Sequence, residues 1–143
     1  MMRRKATAVW KGSLKAGRGH LSTESKVLEG IPYSFRTRFE EEPGTNPEEM
    51  IGTAHAGCFS MALSMILGLE GMVPDKIETV ATITLEKQGE GFSVSASHLD
   101  VTAKIPGAKE SDFVAAAEKA KLSCPISKLL NAKITLHARL APE

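Results

Sequence analysis

The pattern of apolar and polar positions divides the chain into short strands, one long helix, a hairpin and a second helical region. "TAVWKGSLKAGRGHLSTES" predicts two short strands around a glycine-rich turn, with Gly17 and Gly19 as flexible positions. In "IPYSFRTRFE", Tyr33, Phe35, Thr37 and Phe39 alternate with Ser34, Arg36 and Arg38, which predicts a third strand carrying both arginines on its polar side. "EEEPGTN" reads as a solvated loop. A helix follows: Thr45 or Asn46 as N-cap, Pro47 in the first turn, Glu48 and Glu49 at capping-box spacing, a run to about Leu69, and Gly71 as terminator. Along it Gly52, Ala56, Ser60, Ser64 and Gly68 recur at every fourth position, a ladder that lets another backbone approach closely.

Beyond "GMVPD" come two more strands. "KIETVATITLEK" puts Ile77, Thr79, Ala81, Ile83 and Leu85 on one face, "GEG" makes a hairpin turn, and "GFSVSASHLDVTAKI" alternates Phe92, Val94 and Ala96 with serines. "SDFVAAAEKAKL" is an amphipathic helix with Ser111 or Asp112 as cap, "SCPISKLL" starts a short helix at Pro125, and "AKITLHARL" is a last strand. Strands come in hairpins rather than alternating singly with helices, so the predicted class is α+β with antiparallel sheet.

Composition narrows the function classes. A chain of 143 residues, 42% hydrophobic, reads as a single domain over residues 1–143 with an ordinary core. Its net charge is +1 with acids and bases interspersed, and no basic cluster or aromatic–basic stripe is present, which argues against nucleic-acid binding. The start "MMRRKATAVWKG" has no apolar run behind its basic residues and does not read as a secretory signal. From Met50 to Leu69 there is no Asp, Glu, Lys or Arg, and about 20 residues suffice to span a bilayer. The stretch is rich in Gly, Ala and Ser and holds His55, so a buried core helix is expected rather than a membrane span. Two cysteines are too few for a disulfide framework, and the expected compartment is the cytosol, where thiols stay reduced.

Those two cysteines carry the candidate chemistry. Cys58 falls in mid-helix, where burial alone raises a thiol's pKa and a nearby cation is needed for reactivity. Cys124 immediately precedes Pro125 at a helix start, where the dipole and free N–H groups favour a thiolate. Two inert packing thiols fit the same residues, since free cysteine is among the most buried residue types. His55, three residues before Cys58, would allow a Cys–His pair or a histidine hydrogen-bonded internally. Arg36 and Arg38 read equally as solvated strand residues. No CxxC, HExxH or paired His–carboxylate spacing points to zinc, and no cofactor motif is present.

"FRTRFE…GTNPEEMIGTAHAGCFSMAL" and "AKLSCPISKLL", with their cysteines 66 residues apart, resemble the two motifs of the osmotically inducible protein C family, relatives of the organic hydroperoxide resistance proteins. The resemblance covers essentially the whole chain, and "STESKVLEGIPYSFRTRF" is more similar to the osmotically inducible branch. It implies a thiol peroxidase, free of metal and other cofactors, that reduces organic hydroperoxides. In it Cys58 is the peroxidatic thiol, Cys124 the resolving thiol, Arg38 the activating cation and Glu48 the acid that holds the arginine. The sister branch carries its arginine near the position of Gly17 here, so Arg38 is preferred, with Arg36 and Arg18 as fallbacks. The resemblance further implies an external dithiol reductant of lipoyl type. It also implies antiparallel sheets wrapped around central helices in an intertwined homodimer. Glu48 and Cys58 are ten residues apart, about 15 Å along a straight helix, so either the helix bends at Gly52 or Glu48 serves a neighbouring subunit's site. A redox sensor and a structural stress protein with inert thiols are the alternatives.

Overall fold

The computed structural model describes residues 1–143, which form two compact units, Met1–Met50 and Ile51–Glu143. The class is α+β, as the hairpin pattern predicts. In the first unit β1 (Ala6–Lys11), β2 (Arg18–Thr23) and β3 (Ile31–Tyr33) make an antiparallel sheet in that order. The glycines of this hairpin serve close approach rather than conformational freedom. At Gly19 a Cβ would sit 2.6 Å from both the Trp10 and the Tyr33 rings, which lie 5.4 Å apart by centroid. The left-handed backbone of the turn is at Gly12, φ +98°.

The expected third strand stops at Tyr33, and residues Phe35–Phe39 form a short helix, α1. A spacing of four satisfies both a strand and a helix, so Phe35 and Phe39 share a face either way; here their ring centroids lie 4.9 Å apart with the planes tilted by 46°. Ser34 decides between the two. Its hydroxyl accepts from the Thr37 N–H at 3.3 Å, while its own N–H donates to Thr37 Oγ1 at 2.8 Å, a reciprocal capping box. Arg36 and Arg38, which alternation puts on one strand face, therefore project in different directions from a helix.

Helix α2 spans Pro47–Leu69, as the capping pattern predicts. Asn46 Oδ1 accepts from the Glu49 N–H at 2.8 Å, and Gly71 follows the helix with φ +77°. The helix is long and apolar enough to cross a membrane. In the second unit, however, Gly52, His55, Phe59, Leu63 and Leu67 are buried along one face of it. Ser60 is tied to Thr79 of the adjoining strand by a 2.8 Å hydroxyl contact. The opposite face, with Met61, Met65 and Leu69, is 76, 61 and 82% exposed.

The second sheet runs β4 (Lys76–Gln88), β5 (Gly91–Lys104), β6 (Lys133–Leu140). The β4–β5 hairpin closes at Gly89 and Glu90, and Ile77, Thr79, Ala81, Ile83 and Leu85 share the partly buried face as predicted. On β5 the inward parity changes. Leu85 pairs with Val94 but Thr84 with Ala96, leaving Ser95 as an extra residue in a bulge, after which Ser97, Leu99, Val101 and Ala103 are buried. Strand β6 pairs parallel to β5, an exception to the antiparallel expectation. Helices α3 (Glu110–Ser123) and α4 (Pro125–Leu129) supply the crossover that a parallel pair requires. Helix α3 begins before the expected caps, with Lys109 at the N-cap and no side-chain cap, and Glu110 and Asp112 complement the dipole of its first turn. Its Phe113, Ala116, Ala117 and Ala120 complete the core with Phe59, Leu63, Leu67, Leu99 and Val101.

Candidate active site

Each predicted pair of site residues lies within one compact unit. In the second, Cys58 sits on α2, half-buried, and Cys124 is fully buried where α3 ends and α4 begins. Both are free thiols, and Cys124 Sγ lies 2.8 Å from Cys58 Sγ. Cys124 is held by its backbone: its N–H donates to the Ala120 carbonyl at 2.9 Å, and its carbonyl accepts from the Lys128 N–H at 3.1 Å. Pro125 opens α4, so the first amide available there is that of Ile126. That amide bonds to the Cys58 sulfur. The free N–H at the start of α4 thus serves the thiol on the neighbouring helix.

Burial pushes the Cys58 thiol above its ordinary pKa, the hydrogen bond with Cys124 adds to the rise, and the Ile126 N–H opposes it. No cation is among these influences. A mid-helix thiol with a raised pKa and no cation beside it is what the sequence pattern alone predicts for Cys58.

In the first unit Arg38, from α1, forks onto Glu48 in the first turn of α2. Its Nε donates to Oε1 at 3.1 Å and Oε2 at 3.2 Å, and its Nη2 donates to Oε1 at 2.7 Å. Glu48 is 9% exposed, and the guanidinium lies 5.0 Å from the Phe39 ring centroid. The other arginines lie in wetter settings. Arg36, 61% exposed, reaches Glu40 at 3.3 Å and Glu42 at 3.9 Å, and Arg18, 72% exposed, reaches Glu42 at 3.8 Å. Beside Arg38 a cavity of about 210 Å³ is lined by Trp10, Leu14, Tyr33, Phe35 and Phe39. No three His, Cys, Asp or Glu side chains converge as a metal would need.

His55 does not pair with Cys58. It is fully buried, with Nδ1 2.6 Å from Ser97 Oγ and Nε2 2.8 Å from Ser127 Oγ, and burial lowers its pKa. The internally hydrogen-bonded reading of this histidine is the one realised. Its two serines and the Ile126 amide were not legible as site groups, because each depends on how α4 and β5 meet α2. The one signal was that Ser127 follows Cys124 by the same three residues by which His55 precedes Cys58.

Comparison with known proteins gives a consistent picture. Residues 39–138 match the family model described as OsmC-like protein. Peroxiredoxin OsmC of Escherichia coli is 49% identical over 137 residues, covering 96% of each chain. Organic hydroperoxide resistance protein OhrB of Bacillus subtilis is 24% identical over 132 residues, 91% of this chain and 95% of that one. The fold also matches the crystal structure of that OhrB, with a TM-score of 0.67 at 20% identity over 96% of this chain and 98% of the other. An OsmC-like protein of Vibrio cholerae matches with a TM-score of 0.74 at 16% identity, over 96% and 99% of the two chains.

Proposed function

The chain belongs to the OsmC-like protein family, a group of redox proteins that includes a peroxiredoxin, and from that premise we propose that it is a cysteine peroxidase reducing organic hydroperoxides to alcohols. The observation that carries the reading is the contact of two free thiols, one fully buried, 2.8 Å apart. The Cys58 thiolate attacks the distal peroxide oxygen. An S–O bond forms, the O–O bond breaks, and the departing alkoxide takes a proton to become the alcohol, leaving a sulfenic acid. Cys124 sulfur then attacks the sulfenic sulfur. An S–S bond forms, the S–O bond breaks, and the oxygen leaves as water with the thiol proton. Only a small approach separates the present contact from a bond of about 2.0 Å.

The first step needs a thiolate, and burial together with the Cys124 contact raises the Cys58 pKa, which works against it. Arg38 is the proposed cation: it stays charged, and Glu48 fixes its orientation with three donor–acceptor contacts. It also donates to the peroxide and stabilises charge on the leaving oxygen. Arginine at the position of Gly17 is disfavoured, because a Cβ there would run into the Ser13 and Lys11 carbonyls. The aromatic-lined cavity beside Arg38 favours an organic substituent over plain hydrogen peroxide.

In this reading the two units work as one peroxidase domain of a homodimer. The exposed Met61, Met65 and Leu69 face of α2, with Gly57 and Gly68 open beside it, is the proposed dimer surface, and some site groups cross it. Turnover needs an external dithiol, of lipoyl type, in a reducing cytosol. The test is consumption of cumene hydroperoxide with a dithiol by wild type and Cys58→Ser. Sustained turnover lost in the variant supports the enzyme, stoichiometric oxidation without turnover a sensor, and no oxidation an inert stress protein.

A further inference from the structure

Helix α4 has five residues, too few to be stable by itself, and its Leu129 is 74% exposed. Yet it carries the Ile126 amide that bonds to the Cys58 sulfur, and Cys124 is its N-cap. Something outside α4 must hold it in place. Ile126 packs against the core, and the polar anchor is Ser127, whose Oγ lies 2.8 Å from His55 Nε2. The other imidazole nitrogen is fixed on Ser97 of β5 at 2.6 Å, and neither His55 nor Ser97 is exposed. One ring thus joins β5, α2 and α4. The imidazole–hydroxyl contact runs beside the thiol–thiol contact, displaced by three residues along each segment.

We propose that His55 is a positioning residue, clamping α4 onto α2 so that the Ile126 amide and the Cys124 thiol both stay on the Cys58 sulfur. The inference rests on the reading of Cys58 as the reacting thiol. A neutral imidazole does this with one nitrogen donating and the other accepting, so one serine hydroxyl accepts and the other donates. Loss of the clamp lets α4 drift. The Cys58 thiolate then loses its amide partner, and the sulfenic acid waits longer for Cys124.

Ser127→Ala is the informative variant, because Ser127 is only part-buried and its removal spares the core. Expected are an alkylation profile of Cys58 displaced to higher pH and a sulfenic acid, trapped with dimedone, that persists roughly three- to tenfold longer, the scale of one lost hydrogen bond. Ser127→Thr, which restores the hydroxyl, returns both to wild-type values. A Ser127→Ala protein with the wild-type alkylation profile and wild-type rate of disulfide closure overturns the clamp. Wild type that fails to consume hydroperoxide overturns the peroxidase reading instead. The alkylation profile, and disulfide closure driven by diamide, then still decide the clamp.

Discussion

Cys124 touches Cys58 sulfur to sulfur at 2.8 Å, with the second thiol fully enclosed and the first half-open. In the proposed reaction the half-buried residue meets the peroxide and the enclosed one follows, so the two cysteines are not interchangeable. Cys58→Ser is expected to abolish oxidation by hydroperoxide. Cys124→Ser is expected to keep the first oxidation but to stop at sulfenic acid, proceeding to sulfinic acid with excess peroxide. Intact-mass analysis after peroxide treatment distinguishes the outcomes. A Cys124→Ser protein that turns over with a dithiol as wild type does would remove its resolving role.

Arg38→Ala is expected to slow the first oxidation and move alkylation of Cys58 to higher pH. It also strands a nearly buried carboxylate, at a cost of about 1–2 kcal/mol in urea unfolding. Lysine should not substitute, because a point charge cannot reproduce the two-atom fork onto Glu48. An unchanged alkylation profile in Arg38→Ala would leave Arg36 and Arg18 as the remaining cations to test.

His55 makes stability depend on pH. Burial lowers its folded-state pKa below the ordinary 6.5, so the unfolded chain takes up a proton first as pH falls. The contribution of neutral His55 is therefore complete above 6.5 and is lost progressively as pH falls below that value toward the folded-state pKa. Urea midpoints for wild type should decline across this range, and the decline should be shallower in His55→Gln, which keeps a polar side chain without the titrating ring.

Met61→Glu, alone or with Met65→Glu, puts a charge on the exposed face of α2 without touching the buried one. Sedimentation of wild type at micromolar concentration should show a dimer and the variants a shift toward monomer. A wild-type monomer under these conditions would defeat the dimer surface and any site that depends on crossing it.

What could be read from the residues alone was local. The caps of α2, the inward face of β4 and the Gly89–Glu90 turn follow from patterns within a few residues, and they stand. Alternation fails at Phe35–Phe39 because a spacing of four serves two geometries, and the Ser34–Thr37 capping box decides for the helix. Parity on β5 failed at Ser95 because a bulge is set by the partner strand. At the site, Cys58, Cys124, Arg38 and Glu48 were named through family resemblance, and the close pairs Arg38–Glu48 and Cys58–Cys124 are present in the fold. The contacts of Ser97, Ser127 and the Ile126 amide are not legible in the sequence because each joins segments far apart in the chain.

The bulge gives β5 one place where its length is free to change. Residues facing each other across the ladder share a side of the sheet, and Leu85–Val94 and Ile83–Ser97 already face alike on either side of Ser95. Deleting Ser95 would leave a regular ladder with every later side chain on its present side. Deleting one residue between Ser97 and Ala103 would instead turn part of that run over, bringing groups such as His98 or Asp100 toward the space now filled by Leu99 and Val101.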